Sequence, residues 1–352
     1  MSEDYFKNEK ASDFSCVRDR FNRPLHDLRI SVIDRCNFRC TYCMPEEEYG
    51  KHYVFLKEKD WLQFEEISRL VKFFIFFGVS KVRLTGGEPL LRPNLDALVK
   101  ELAALPGIED LALTTNGSLL REQAVVLKKA GLQRLTVSLD SLDEKIFREM
   151  SGGKGSAAQA LEGIREAERA GFKGIKINTV VQRGINEQGL IDLVKYFKGS
   201  GHVLRFIEYM DVGNCNHWES KRVVPSREIL EKIHAVCPVQ PVEANYFGEV
   251  ASRYQFIDGS GEIGFISSVS QPFCGTCTRA RLSTDGKLYT CLFATEGTDM
   301  KTPLRAGASD QELMAIIAKV WTQRADKYSE NRFLFRSLKE KPKKIEMYQI
   351  GG

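Results

Sequence analysis

No stretch of this chain is long and apolar enough to cross a bilayer, which takes roughly 18 apolar residues in a row. The densest run, Phe73 to Val79, ends after seven. A membrane role is therefore not expected. The first 27 residues also lack the apolar core of a secretory signal, and they scatter Glu3, Asp4, Glu9, Asp13 and Asp19 among basic residues, unlike an acid-poor transit peptide. A cytoplasmic protein is expected. Charge of one sign is scarce too: 51 basic residues face 47 acidic ones, a formal excess of +4 over 352 residues. So small an excess does not imply nucleic acid, although it suits a small anion. With 43% hydrophobic and 28% charged residues the chain is not globally disordered, and its length fits one large or two ordinary domains.

Cysteine is what the chain does have. There are nine, an odd number, and six form two tight groups: Cys36, Cys40, Cys43 and Cys274, Cys277, Cys291. A secreted disulfide scaffold would be short and rich in loops. Clustered cysteines in a long chain without a signal are better read as metal ligands.

From residue 28 to about 212 one unit repeats, a short β-branched run followed by a helical pattern. Strands are expected at Leu28–Asp34, Lys81–Thr85, Asp110–Thr115, Arg134–Ser138, Gly174–Val180 and Val203–Tyr209. The clearest helical pattern carries apolar residues at Trp61, Phe64, Ile67, Leu70, Val71, Phe74 and Ile75, with Asp60 placed to cap it. Gly78 and Gly131 stand where helices should stop. Such alternation implies parallel β-α units, too few for a closed eight-unit barrel. An open six-stranded partial barrel and a doubly wound sheet both remain. After residue 212 the rhythm changes. A helix is expected from Ser226 to about Ala235, short strands at Tyr254–Ile257 and Gly264–Ser267, and a late helix from about Asp310 to Arg324. The division expected is an N-terminal arm (1–27), an α/β unit (28–212) and a smaller α+β domain (213–352), with no long linker.

The first cysteine group, Cys36-Asn37-Phe38-Arg39-Cys40-Thr41-Tyr42-Cys43, directly follows the first strand. Three thiolates in one loop can hold three corners of a cubane iron–sulfur cluster and leave one iron open. A structural zinc completed by His52 is the alternative. Cys-x3-Cys-x-aromatic-Cys in this position resembles the signature of the radical S-adenosylmethionine (SAM) enzymes. Gly86-Gly87-Glu88-Pro89, closing the second strand, resembles their glycine-rich element. One departure is visible: Ile33 stands before Asp34 where a threonine is expected. The resemblance implies a partial six-unit TIM-like barrel, a first 4Fe-4S cluster on Cys36, Cys40 and Cys43, and a site at the C-terminal strand ends. It further implies SAM contacts from Tyr42, Gly87, Ser138 and Met210. Reductive cleavage of SAM to a 5′-deoxyadenosyl radical is the chemistry that would follow.

The second group, Cys274-Gly275-Thr276-Cys277 and then Cys291, could be three ligands of a zinc with an unseen fourth. Immediately after it comes Thr278-Arg279-Ala280-Arg281, and the sequence ends Ile350-Gly351-Gly352. Together these features resemble the GTP 3′,8-cyclase family of molybdenum cofactor biosynthesis, from about Leu28 to Gly352. The resemblance implies a second 4Fe-4S cluster on Cys274, Cys277 and Cys291 that receives the guanine of GTP. It implies substrate contacts from Arg29, Arg83, Thr114, Lys176, Arg279, Ala280 and Arg281. Catalytic roles fall to Arg279, Arg281, Gly351 and Gly352. Arg29, Arg83 and Lys176 lie inside strand patterns, and cations on three strands suit one shared anion. The partners implied are a cyclic pyranopterin monophosphate synthase downstream and a reductant such as flavodoxin or ferredoxin, with a homodimer as an option. Two rivals predict other features. A peptide-modifying radical enzyme with auxiliary clusters would carry more C-terminal cysteines, and here Cys215 and Cys237 lie apart. A zinc-stapled nucleic-acid binder would gather its basic residues on one helix or stripe, and no recognition module is present.

Overall fold

The repeating pattern folds into six sequential parallel strands: β1 (Asp27–Ser31), β2 (Lys81–Thr85), β3 (Asp110–Thr115), β4 (Arg134–Ser138), β5 (Lys176–Val181) and β6 (Val203–Glu208). The computed structural model describes residues 17–337 and 343–351. Six further strands follow: β7 (Val239–Val242), β8 (Ser252–Phe256), β9 (Glu262–Ile266), β10 (Arg279–Leu282), β11 (Lys287–Tyr289) and β12 (Thr298–Asp299). They extend both edges of the same sheet, whose order is β12-β11-β10-β1-β2-β3-β4-β5-β6-β9-β8-β7. β9 joins β6 in parallel and β10 joins β1 in parallel, while the outer pairs are antiparallel. The segment expected as a separate smaller domain thus shares the sheet of the first and adds strands on either side of it.

The period of two along each strand decides what faces where. On β1, Leu28 and Ile30 are fully buried under the helices, and Arg29 between them points to the other face. The helix Phe64–Phe76 supplies Ile67, Leu70, Val71 and Phe74 to the helix-side core. Its start differs from expectation. Gln63 caps it in a reciprocal box with Glu66, while Asp60 lies in a short 3₁₀ turn and Trp61 precedes the helix. Trp61 is still buried in the core, with the Arg92 guanidinium over its ring at 4.5 Å and its indole N–H donating to Asp34 Oδ1 at 3.2 Å. Gly78 and Gly131 do end their helices, with φ of +101° and +103°. β1 stops at Ser31, before the expected Asp34, because the chain there turns along the end of β2, with Val32 N–H donating to the Thr85 carbonyl at 2.9 Å and Gly87 N–H to Ile33 at 2.8 Å. That departure from the sheet begins the cysteine loop.

Residues 17–25 pack beneath the second cysteine group through one buried carboxylate. Asp19 accepts from Arg23 Nε at 2.6 Å and from Arg324 Nη1 at 3.1 Å, and both arginine side chains are 1% exposed. Its other oxygen accepts from the backbone of Phe21 and Arg23. Removing one partner of such a cluster strands buried charge, which costs about 3–5 kcal/mol. Asp19→Ala should therefore lower stability by about that amount in chemical denaturation, whereas a loss under 1 kcal/mol would show the arm to be peripheral.

Candidate functional site

The concave face of the sheet carries a cavity lined by cations from successive strands. Arg281 on β10, Arg29 on β1 and Arg83 on β2 are register neighbours, side by side. Lys176 on β5 and Arg205 on β6 line the same space, with Thr114 and Asn178 between them. Several of these groups are held by neutral partners. Arg83 donates to the hydroxyls of Thr114 and Thr136, both at 3.0 Å, and Arg205 Nε to Asn178 Oδ1 at 3.0 Å. Burial and then the neighbouring arginines disfavour their charged forms. Lys176 is brought down to about 7 by burial first and then by Arg205, Arg134 and Arg83. Arg205 falls to about 9 for the same two reasons, and Arg29 is lowered by burial and by Arg281 and Arg279. Asp27, Glu249 and Asp326 also reach the cavity, so it is not uniformly basic. An anion with several charges is what this surface most needs.

All three cysteines of the second group border the same cavity. The Cys277 sulfur lies 3.2 Å from a nitrogen of Arg279 and 3.2 Å from one of Arg324. Burial opposes its ionisation, but the two guanidinium charges win and hold the thiol down at about 6. Cys291, without such neighbours in contact, is pushed up to about 12 by burial. Arg324 also donates to the Cys277 carbonyl at 2.7 Å, and Arg23 donates to the Cys274 carbonyl at 2.6 Å.

The first group sits in the loop between β1 and the short helix Glu46–Tyr49. Burial raises Cys36 to about 12 and raises Cys40 and Cys43 further, with Cys36 adding repulsion to both. Three half-buried thiols in one loop are poor anions unless a cation joins them, which is what a cluster supplies. Among the described residues no three His, Cys, Asp or Glu side chains close round a single ion. Each triad supplies three thiolates, as a cubane takes one on each of three irons, whereas tetrahedral zinc would need a fourth ligand. The donor set in both places fits an iron–sulfur cluster.

The Gly-Gly-Glu-Pro element is what fixes the first loop. A Cβ on Gly87 would lie 2.1 Å from the Arg35 carbonyl oxygen, so only glycine permits this approach. Glu88 is buried and accepts from Leu90 N–H, the Thr115 hydroxyl and Asn116 N–H, and burial raises it to about 7. Asn116 in turn donates to Asn37 inside the cysteine loop at 2.8 Å. Of the residues expected to hold SAM, Ser138 is the last of β4 and Met210 lies two beyond β6, bordering the cavity. Tyr42 donates to Asp140 Oδ2 at 2.7 Å, and Gly87 backs the cysteine loop.

The tail reaches the same place. Tyr348 and Ile350 are buried, and Tyr348 stands edge-on to Tyr49 at 5.2 Å. Arg281 donates to the carbonyls of Ile350, at 3.1 Å, and Gly351. Gly351 has φ of +67°, and a Cβ there would meet Thr85 Cγ2 at 2.5 Å. Gly352 lies outside the described residues. Ala280 departs from expectation: the whole residue is buried in the core, and it does not line the cavity as Arg279 and Arg281 do. The sequence reading passed over Lys81, Asn178, Arg205, Tyr246 and Arg324, which also line the cavity. The first three were within reach, being two residues from Arg83, two from Lys176, and a cation on the sixth strand. Tyr246 and Arg324 come from a loop and a helix end that carry no such signal.

Comparison with known proteins agrees with this arrangement. A model of the radical SAM superfamily matches residues 30–197, and a model described as Molybdenum Cofactor Synthesis C matches residues 202–330. A GTP 3′,8-cyclase of Xanthomonas campestris pv. campestris is 55% identical over 96% of this chain and 97% of its own length. One from Staphylococcus epidermidis is 47% identical over 96% and 99%. The chain belongs to the GTP 3′,8-cyclase family. Among solved structures, Streptococcus suis SuiB bound to S-adenosylmethionine aligns at a TM-score of 0.59 and 15% identity, over 89% of this chain and 69% of that one, a likeness of fold. Membership of the radical SAM superfamily brings with it one 4Fe-4S cluster and SAM. No helix of the described residues is long and apolar enough to cross a membrane.

Iron content tests both cysteine groups. Anaerobic reconstitution should give a brown protein with about eight irons per chain, and Cys40→Ser and Cys291→Ser should each retain about half. A colourless protein carrying zinc would contradict the assignment of both.

Proposed function

We propose that this chain is a radical SAM GTP 3′,8-cyclase. It converts GTP to 3′,8-cyclo-7,8-dihydroguanosine 5′-triphosphate, the first step of molybdenum cofactor biosynthesis. The observation that carries the reading is the cation-lined cavity bordered at one end by Cys274, Cys277 and Cys291. The first cysteine triad would hold one cluster, with SAM reached by Tyr42, Gly87, Ser138 and Met210, and the second triad a second cluster. When bound, these groups supply one-electron cleavage of SAM and a radical able to take hydrogen from carbon 3′ of the ribose.

The chain's own residues do the positioning. Arg29, Arg83 and Lys176, with the Thr114 hydroxyl, bind the triphosphate, each charge-assisted contact contributing about 1.5–3 kcal/mol. Arg279 and Arg324 keep Cys277 in its thiolate form. Arg281 holds the tail carbonyls and so positions Gly351 beside the substrate, while the catalytic role of Gly352 rests on the family resemblance. A cytoplasmic setting, a flavodoxin or ferredoxin reductant, a cyclic pyranopterin monophosphate synthase as consumer and a possible homodimer rest on the family resemblance.

The test is anaerobic incubation with GTP, SAM and a reductant, followed by product mass. A product isomeric with GTP, of the same mass but separable from it by chromatography and formed with 5′-deoxyadenosine, is expected. Cleavage of SAM without change in GTP would overturn the substrate assignment.

Lys176 gives a pH signature. With its pKa near 7 in the free protein, the ammonium is complete below that pH and lost above it. A bound triphosphate favours the charged form, so this residue's contribution to affinity is full below pH 7 and declines above it, by up to about tenfold per unit. Calorimetric titration of GTP between pH 6 and 8.5 should show this decline relative to Lys176→Gln. Parallel pH profiles for the two proteins would remove Lys176 from the phosphate site.

A further inference from the structure

The last described residues are not held by the cavity alone. A loop that begins two residues after β6 grips the tail upstream of Ile350. Asn214 donates from its backbone N–H and its side-chain amide to Glu346 Oε1, at 3.0 and 2.7 Å. The same amide donates to the Lys344 carbonyl at 2.7 Å, and its oxygen accepts from Lys344 N–H at 3.0 Å. Lys344 Nζ in turn reaches the carbonyl of Asp211 at 2.6 Å and its carboxylate at 3.0 Å. Gly213, at φ +70°, lets the carboxylate lie flat on the turn, since a Cβ there would stand 2.0 Å from Glu346 Oε2.

This grip is joined to the site at both ends. Upstream, Asn216 donates to the carbonyls of Met210 and Val212, both at 3.0 Å, and so fixes the loop to the strand end that borders the cavity. Downstream, the turn Met347–Ile350 begins at Glu346, whose carboxylate also pairs with Gln349 across the turn. The carbonyls that Arg281 holds follow within five residues. A segment this short, once its entry is fixed, has few conformations left to lose.

We propose that Asn214 and Glu346 form a latch, and that they are positioning residues for Gly351 in the cyclisation reaction. The inference rests on the reading of the tail as part of the site. Glu346 touches no reacting group. It acts by fixing where the final turn starts, so that Gly351 needs no further ordering when substrate binds. Misplacement of about 1 Å near reacting atoms can cost about a hundredfold in rate.

The test compares Glu346→Ala, Asn214→Ala, Glu346→Gln and a chain lacking residues 351–352, all as reconstituted enzyme with both clusters. In Glu346→Ala and Asn214→Ala, kcat for cyclisation should fall at least tenfold, while iron content and the KM for GTP stay near wild type. Amide hydrogen exchange of the peptide from 345 onward should quicken in both. Glu346→Gln keeps the Oε1 acceptor and should rescue turnover and protection together. Wild-type turnover in Glu346→Ala beside an inactive truncated chain would overturn the latch alone. Full activity in the truncated chain would overturn the reading of the tail beneath it. Lost turnover with unchanged exchange would also reject the latch, because the tail would then be held by something else.

Discussion

Arg281, Arg29 and Arg83 stand on three adjacent strands whose spacing is about 4.8 Å, and the repulsion among these cations, the first buried and the other two half-buried, is what the rest of the fold must oppose. A sheet tolerates such a row only if the opposite face is strongly stabilised. Here Leu28, Ile30, Val82 and Leu84, which alternate with the arginines, are completely buried beneath the helices. The apolar face stabilises the strands, and the polar face is thereby free to be unfavourable. Hydroxyl and amide partners orient the guanidinium groups without neutralising them. The structure accordingly stores an electrostatic deficit that a polyanion relieves on binding.

The two cysteine groups sit in different electrostatic settings, although both are triads. Cys277 is flanked by Arg279 and Arg324 and favours the thiolate. The thiols of Cys36, Cys40 and Cys43 are raised by burial first and then by nearby acids: Glu88 beside Cys36, the other thiols and Asp140 beside Cys40, and Cys36 and Glu346 beside Cys43. They favour the protonated form until something cationic joins them. Support for the second group is drawn from far along the chain. Asp19 near the start pairs with Arg324 near the end, and both converge on the loop of Cys274 and Cys277. That convergence fixes the loop immediately before β10, the strand that pairs with β1.

Much of this was legible in the residues themselves. Three of the six parallel strands match at both ends, because their β-branched runs are bounded by glycine or polar residues. Where expectation and structure part, a specific contact is responsible. Trp61 packs into the core from the segment before the helix, its N–H satisfied by Asp34, which periodicity cannot distinguish from a place on the helix. Ala280 lies between two inward-facing arginines, and strict alternation places it on the opposite face, a consequence that the resemblance alone had hidden. Arg205 and Lys81 were readable as further cations inside strand patterns, like Arg29, Arg83 and Lys176, which the resemblance had already named. The roles of Arg324, Tyr246 and Asn214 were not, since each depends on the approach of segments far apart in sequence. The extension of the sheet past both edges had no local signature either, because pairing partners are not written in a strand's own composition.

The account's central claim is that this cavity recognises a triphosphate through buried cations. Calorimetric titration of the anaerobically reconstituted protein with GTP, GDP and guanosine tests it most directly. Loss of each charge-assisted contact should weaken binding about ten- to a hundredfold, so affinity should fall in steps from GTP to GDP to guanosine, and raised salt should narrow the gaps. Equal affinity for guanosine and GTP would contradict the account.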